Sequence, residues 1–214
     1  MKKIYLIVIP IVIGVITGMF LAFYPQSGDD SKLLTESKLI QNGSPIMGNP
    51  SASITILEWG DYQCTYCHKF HQGTLDTIKH DFIETGKVKL VFKDFPLNGP
   101  DSVLAAEASY CAQDQGKYWQ YHDELYKNWA GEKTGWVNHD SLDKFATTAS
   151  LDLNKFNECL DDHKYLERVN QMYEFGKKIG IDATPSFLVF NNEKIIKITG
   201  NQPLEVFLKS IDEL

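Results

Sequence analysis

The sequence predicts an α/β fold that carries a helical insertion and is preceded by an N-terminal transmembrane helix, and three patterns lead to this reading. Ile54-Thr55-Ile56-Leu57-Glu58-Trp59 is β-branched and almost continuously apolar, as suits a strand covered on both faces of a sheet. After a turn at Gly60 and Asp61, Tyr66, Phe70, Ile78 and Phe82 recur at helical spacing until Gly86 offers a stop, so a long helix follows that strand. Roughly 90 residues of helical pattern then separate a second strand from a later hairpin, far more than the dozen or so that a crossover requires.

The N-terminal element is Ile4 to Tyr24, 21 residues without a charge, enough as a helix to cross the ~30 Å hydrocarbon core of a bilayer. The run exceeds the ~7–15 apolar residues of a secretory signal and no clear A-x-A-like cleavage site follows, which favours an anchor over a cleaved signal or a buried core helix. Lys2 and Lys3 precede the run, so the positive-inside rule places everything after Tyr24 outside the cytoplasm. Residues 1–25 are therefore expected to be cytoplasmic lysines and membrane anchor, and 26–43, beginning with the Ser-, Gly- and Asp-rich stretch Gln26 to Ser31, a flexible stalk. Residues 44–214 are expected to be the folded domain, with the insertion at about 97–180.

Within that domain Val88 to Lys93 reads as the second strand, and Ser186 to Phe190 with Lys194 to Thr199, joined at Asn191-Asn192, as the hairpin. Pro203 to Leu214 reads as a closing amphipathic helix. The insertion has five helical stretches: Val103 to Gln115, Trp119 to Trp129, Leu142 to Ala149, Leu153 to Leu160 and Tyr165 to Ile179. A hydrophobic content of 43% with 12% aromatics suits one well-filled core. The formal charge of −7 becomes −9 once Lys2 and Lys3 are set aside, which argues against a nucleic-acid partner.

Four cysteines carry the candidate chemistry. Cys64-Thr65-Tyr66-Cys67 is a C-x-x-C pair where the buried strand turns into the helix, so Cys64 is expected at the helix N-terminus, where unpaired N–H groups and the helix dipole favour a thiolate. Only the thiolate attacks a disulfide, and a stabilised thiolate also departs readily. The i, i+3 spacing puts Cys67 on the same helix face, as a resolving partner. The motif alone also admits zinc, with His68 or His71 as a further ligand, and haem attachment, since His68 follows the pair. Cys111 and Cys159 lie 48 positions apart in the insertion; in an oxidising compartment they would pair, and otherwise they would be two buried thiols.

The run Leu57-Glu58-Trp59-Gly60-Asp61-Tyr62-Gln63-Cys64-Thr65-Tyr66-Cys67-His68, with Ala183-Thr184-Pro185-Ser186-Phe187 far downstream, resembles the DsbA-like branch of the thioredoxin superfamily. The surroundings of Cys111 and Cys159 look like that branch too, and the likeness covers roughly Ser44 to Leu214. The resemblance implies a thioredoxin-like fold and a cis Thr184-Pro185 bond beside Cys64, leaving the Thr184 backbone as an edge for an extended substrate. It also places Glu58 where the family carries a buried acid. Desolvation there would raise a carboxyl pKa and suit it to take the resolving thiol's proton, with Lys93 on the next strand as its partner; the alternative is a strand-end glutamate reaching solvent. Asp61 is expected to cap the helix, although its charge would oppose a low thiol pKa if it faced the sulfur.

These readings converge on an extracytoplasmic thiol–disulfide oxidoreductase. Its expected catalytic residues are Cys64, Cys67, Thr184, Pro185 and Glu58, with Thr65, Tyr66 and His68 beside them and a structural disulfide between Cys111 and Cys159. Its expected partners are unfolded or cysteine-containing proteins and a membrane redox protein that resets the pair. No cofactor beyond the dithiol is expected, and no metal. The Thr65-Tyr66 dipeptide differs from the Pro-His of the best-known oxidase and the Gly-Pro of thioredoxin, which leaves direction open, with oxidase as first choice. The alternatives are an outward-facing reductase or isomerase of the same fold, and a tethered metal-binding or metal-delivery protein.

Overall fold

Strand β1 (Ile54–Gly60) is buried along its whole length, and the reason is its place in the sheet. The computed structural model describes residues 35–214. It shows a four-stranded sheet in the order β2-β1-β3-β4, with β2 at Val88–Asp94, β3 at Ser186–Phe190 and β4 at Ile195–Thr199. β1 runs parallel to β2 and antiparallel to β3, and β3 and β4 form an antiparallel hairpin. Helix α1 (Glu36–Ile40) precedes the sheet. The membrane segment expected in residues 1–25 and the first part of the expected stalk lie outside the described residues. Among the described residues no helix is long and apolar enough to cross a membrane.

Side chains alternate across β1, and each face meets its own helices. On one face Ile54 and Ile56 pack with Phe70 of α2 (Thr65–His71), Leu75 and Ile78 of α3 (Thr74–Ile78), and Phe207 and Ile211 of α9 (Leu204–Asp212). On the other, Leu57 and Trp59 pack with Leu39 of α1, Ile181, and Tyr173 and Phe175 of α8 (Leu166–Lys178). Phe70 is fully buried among the rings of Phe187 and Phe207, at 4.6 and 5.4 Å, and burial of such a side chain contributes up to about 3 kcal/mol.

Between β2 and β3 come α4 (Pro100–Gln113), α5 (Tyr118–Lys127), α6 (His139–Thr148), α7 (Leu153–Asp161) and α8. Helices α4 to α7 build a second core around Ala105, Ala108, Leu125, Leu142 and Phe156, and Tyr62, Cys67 and Phe92 join it to the sheet, while α8 packs Val169 and Met172 against Ala106 and Tyr110 of α4. A disulfide between Cys111 and Cys159, with 5.8 Å between their Cα atoms, ties α4 to α7.

Three expectations are corrected. The described part of the stretch assigned to a stalk packs on the domain: Leu39 is fully buried, Glu36 pairs with Lys89 at 2.7 Å, and Arg168 Nε donates to Asn42 O at 2.9 Å. Five residues cannot hold a helix alone, so tertiary packing makes this one and local sequence does not announce it. The single long helix after β1 is broken instead, with α2 ending at His71, α3 starting at Thr74, and a π-helical turn over Lys79–Ile83. Gly73 leaves helical geometry there, as befits the residue with the least helix propensity after proline. Lys93, finally, does not meet Glu58.

The register explains that third point. Glu58 pairs with Phe92 and Trp59 with Lys93, so Lys93 projects to the face opposite Glu58. There its Nζ donates to Gln41 O at 2.6 Å and lies 4.7 Å from the Phe175 ring, and burial draws its pKa down to about 7.

Candidate active site

The turn after β1 aims Cys64 at the start of α2. Asp61 organises it: one carboxylate oxygen accepts from Gln63 N–H at 2.8 Å, and the other from the N–H groups of Leu97 and Asn98, each at 2.8 Å. Asp61 therefore braces the turn and the loop after β2, while Cys64 itself is the N-cap, its sulfur accepting from Cys67 N–H at 3.3 Å. The Cys64 sulfur also lies 3.4 Å from the Thr184 carbonyl, next to a cis Thr184–Pro185 bond. The Pro185 carbonyl is held by Gly200 N–H at 2.7 Å.

The two sulfurs differ in acidity. Hydrogen bonding from Cys67 to the Cys64 sulfur lowers the Cys64 pKa from 9.0 to about 7, against a smaller upward push from burial. Cys67 is fully enclosed, and burial first, then its hydrogen bond to Cys64, raises its pKa well above 9.0; the charges of Cys64 and Glu58 add to the rise. Both cysteines are reduced in this structure. Cys64, 5% exposed, thus titrates near neutrality, and Cys67, fully enclosed, is a thiol that must shed or gain a proton whenever it reacts.

Glu58 is buried on the α2 face, with Oε1 3.1 Å from Nε2 of His71. His68 turns its ring to the insertion: Nδ1 lies 3.0 Å from Tyr126 O and the ring stacks on Trp129 at 4.6 Å. Thr65 offers its N–H to Glu132 Oε1 at 2.8 Å, and Tyr66 is 58% exposed beside the pair. Among the described residues no three His, Cys, Asp or Glu side chains converge to hold a metal ion.

Sequence reading missed His71 as Glu58's partner, and missed Gln63, Trp129 and Glu132. Trp129 donates to Gln63 O at 2.8 Å, and the Gln63 side chain binds Ser102 and the Lys133 N–H, locking the insertion onto the active-site turn. Only His71 carried a local signal: it stands four residues after Cys67, on the same helical face.

An acidified thiol that is 5% exposed, three residues before a fully enclosed one, on a helix that leaves the central strand of a mixed sheet, defines a dithiol oxidoreductase of thioredoxin-like fold. Residues 41–213 match the thioredoxin family model, and the chain belongs to that family, in its DsbA-like branch. It is 32% identical over 158 residues to disulfide bond formation protein D of Bacillus subtilis (strain 168), covering 72% of this chain and 70% of that one. Among solved structures it resembles oxidised BdbD from Bacillus subtilis, with a TM-score of 0.73, 28% identity, and coverage of 81% of this chain and 93% of that one. Wolbachia pipientis alpha-DsbA1 also gives a TM-score of 0.73, at 27% identity, covering 86% of this chain and 94% of that one.

Proposed function

We propose that this protein is an extracytoplasmic oxidase that transfers its Cys64–Cys67 disulfide to cysteine-containing or unfolded proteins. The observation that carries the reading is the unequal pair: a Cys64 thiol with a pKa of about 7 above a buried Cys67 whose pKa is raised. A stabilised Cys64 thiolate favours the reduced form, and a pair stable when reduced is oxidising toward its substrates. It is also the better leaving group when the mixed disulfide resolves.

In this reading a substrate thiolate attacks the Cys64 sulfur and Cys67 departs. The substrate's second thiolate then attacks its own bridged sulfur and releases Cys64 as thiolate. Thr184 and Pro185 hold the substrate: an extended segment pairing with the Thr184 backbone would bring its sulfur to Cys64, 3.4 Å from the Thr184 carbonyl. Glu58 exchanges the proton of Cys67. Thr65, Tyr66 and His68 shape the rim, with exposed Tyr66 offering an apolar contact. A membrane redox partner resets the dithiol, and the uncharged run Ile4 to Tyr24 after Lys2 and Lys3 supports a single-pass tether with the domain outside.

The test is equilibration of the full chain with glutathione buffers, alongside oxidation of a reduced dithiol peptide. An oxidase gives a potential clearly above the roughly −270 mV of thioredoxin, and peptide oxidation that is lost in Cys64→Ser. A potential near that of thioredoxin would make the protein a reductant instead, and peptide oxidation that survives Cys64→Ser would remove Cys64 from the chemistry.

A further inference from the structure

Cys67 is sealed from solvent, and so is Glu58 beneath it, yet each turnover moves a proton between this pair and water. Glu58 has two different oxygens. Among the described residues Oε2 has no hydrogen-bond partner and is free to exchange a proton with Cys67, while Oε1 is engaged by His71 Nε2 at 3.1 Å. The side chain of His71 is 4% exposed, and it lines an open cavity of about 370 Å³ that Glu58 does not reach. We propose that His71 is the proton gate of the dithiol, passing protons between Glu58 and water in this cavity, on a route separate from the substrate side at Cys64.

The groups around His71 fit the task. From α5, Tyr126 stacks on the ring at 3.9 Å, which fixes its plane, and His122 lies at 4.8 Å, kept neutral because burial draws its pKa well down. Across the cavity Lys79 pairs with Asp123 at 3.9 Å, and Asp76 and Lys127 complete the charged lining. Among the described residues the only carboxylate bonded to the ring is Glu58, so a proton has a direct path between the two side chains.

The inference rests on the oxidoreductase reading above. When a substrate thiolate attacks Cys64, the Cys64–Cys67 bond breaks and its electron pair leaves on the Cys67 sulfur. That buried thiolate takes the Glu58 proton, and His71 replaces it from the cavity. In the reverse direction the Cys67 thiol gives its proton to Glu58, attacks the Cys64 sulfur of a mixed disulfide and expels the bound thiolate.

The reverse direction gives the experiment. The reduced full chain is mixed with glutathione disulfide and quenched in acid, so that formation of the mixed disulfide at Cys64 and its closure by Cys67 are timed separately. In His71→Gln, closure is expected to slow by roughly tenfold or more while formation changes by less than about twofold, and added imidazole, small enough for the cavity, should restore closure. Closure within about twofold of wild type from about pH 6 to 8 would overturn the gate and leave dithiol exchange intact. Failure of wild type to form the mixed disulfide would instead defeat the oxidoreductase reading. A measurement on unmutated protein guards against a variant that does not fold: the His71 ring carbons are titrated by NMR in the oxidised and reduced full chain. The gate requires different midpoints in the two redox states, and superimposable curves would overturn it.

Discussion

At the scale of single residues, the central sheet holds two acids that local sequence does not distinguish, each near the C-terminal end of its strand. Glu58 ends against His71, whereas Asp94 is enclosed at 1% exposure, with Tyr110 and Arg168 as its neighbours. Burial raises the Asp94 pKa from 3.8 to about 7. The folded state then binds more protons than the unfolded chain between those values, so the native state loses stability as pH climbs from about 4 to 7. Asp94→Asn is expected to flatten that decline and to raise the melting temperature at neutral pH, with little change at pH 4, as calorimetry across the range will show. An unchanged pH slope would mean that Asp94 ionises no differently in the fold than in free chain.

At the scale of elements, α2 has only seven residues, so its N-terminus acts mainly through individual amides. The Cys67 amide serves the Cys64 sulfur, and the Thr65 amide serves Glu132 from the loop after α5. Glu132 thus adds a negative charge to the helix start that carries the thiolate. Removing that charge in Glu132→Gln should lower the Cys64 pKa by a few tenths of a unit, matching the ~0.3–1 kcal/mol of a charge at a helix end. Iodoacetamide alkylation against pH reads the shift, and an unchanged midpoint would show that the insertion does not tune the thiol. The strand pattern, the helix after it and the two cysteines were all legible in the sequence, because they follow from local periodicity and spacing. The α2–α3 break, the π turn and α1 were not, because each depends on what packs against it.

At the scale of the whole molecule, the insertion and the sheet share the active site. Gln63 and Trp129 fasten one to the other, and the Cys111–Cys159 disulfide fastens the insertion to itself. Closing a loop of 48 positions restricts the unfolded chain, so Cys111→Ala with Cys159→Ala should cost about 4 kcal/mol of stability. Both cysteines belong to the insertion core that Cys64 and Cys67 also join, yet neither is among the groups that set the acidity of the reacting sulfurs. Denaturant unfolding should therefore register the loss, while the alkylation rate of Cys64 in the folded variant stays at the wild-type value. A matching fall in alkylation rate would show that the insertion core sets the acidity of the site.

The sequence by itself determined the α/β order of elements, the turn that presents Cys64 and Cys67, and the insertion between the second strand and the hairpin. Periodicity, turn residues and motif spacing act over a few residues and need no partner. Only the tertiary structure decided that Glu58 meets His71 and not Lys93, that Asp61 braces a loop, and that Glu132 reaches α2. Strand register and long-range packing choose those partners, and a shift of one position in pairing would have sent Glu58 to the other face of the sheet.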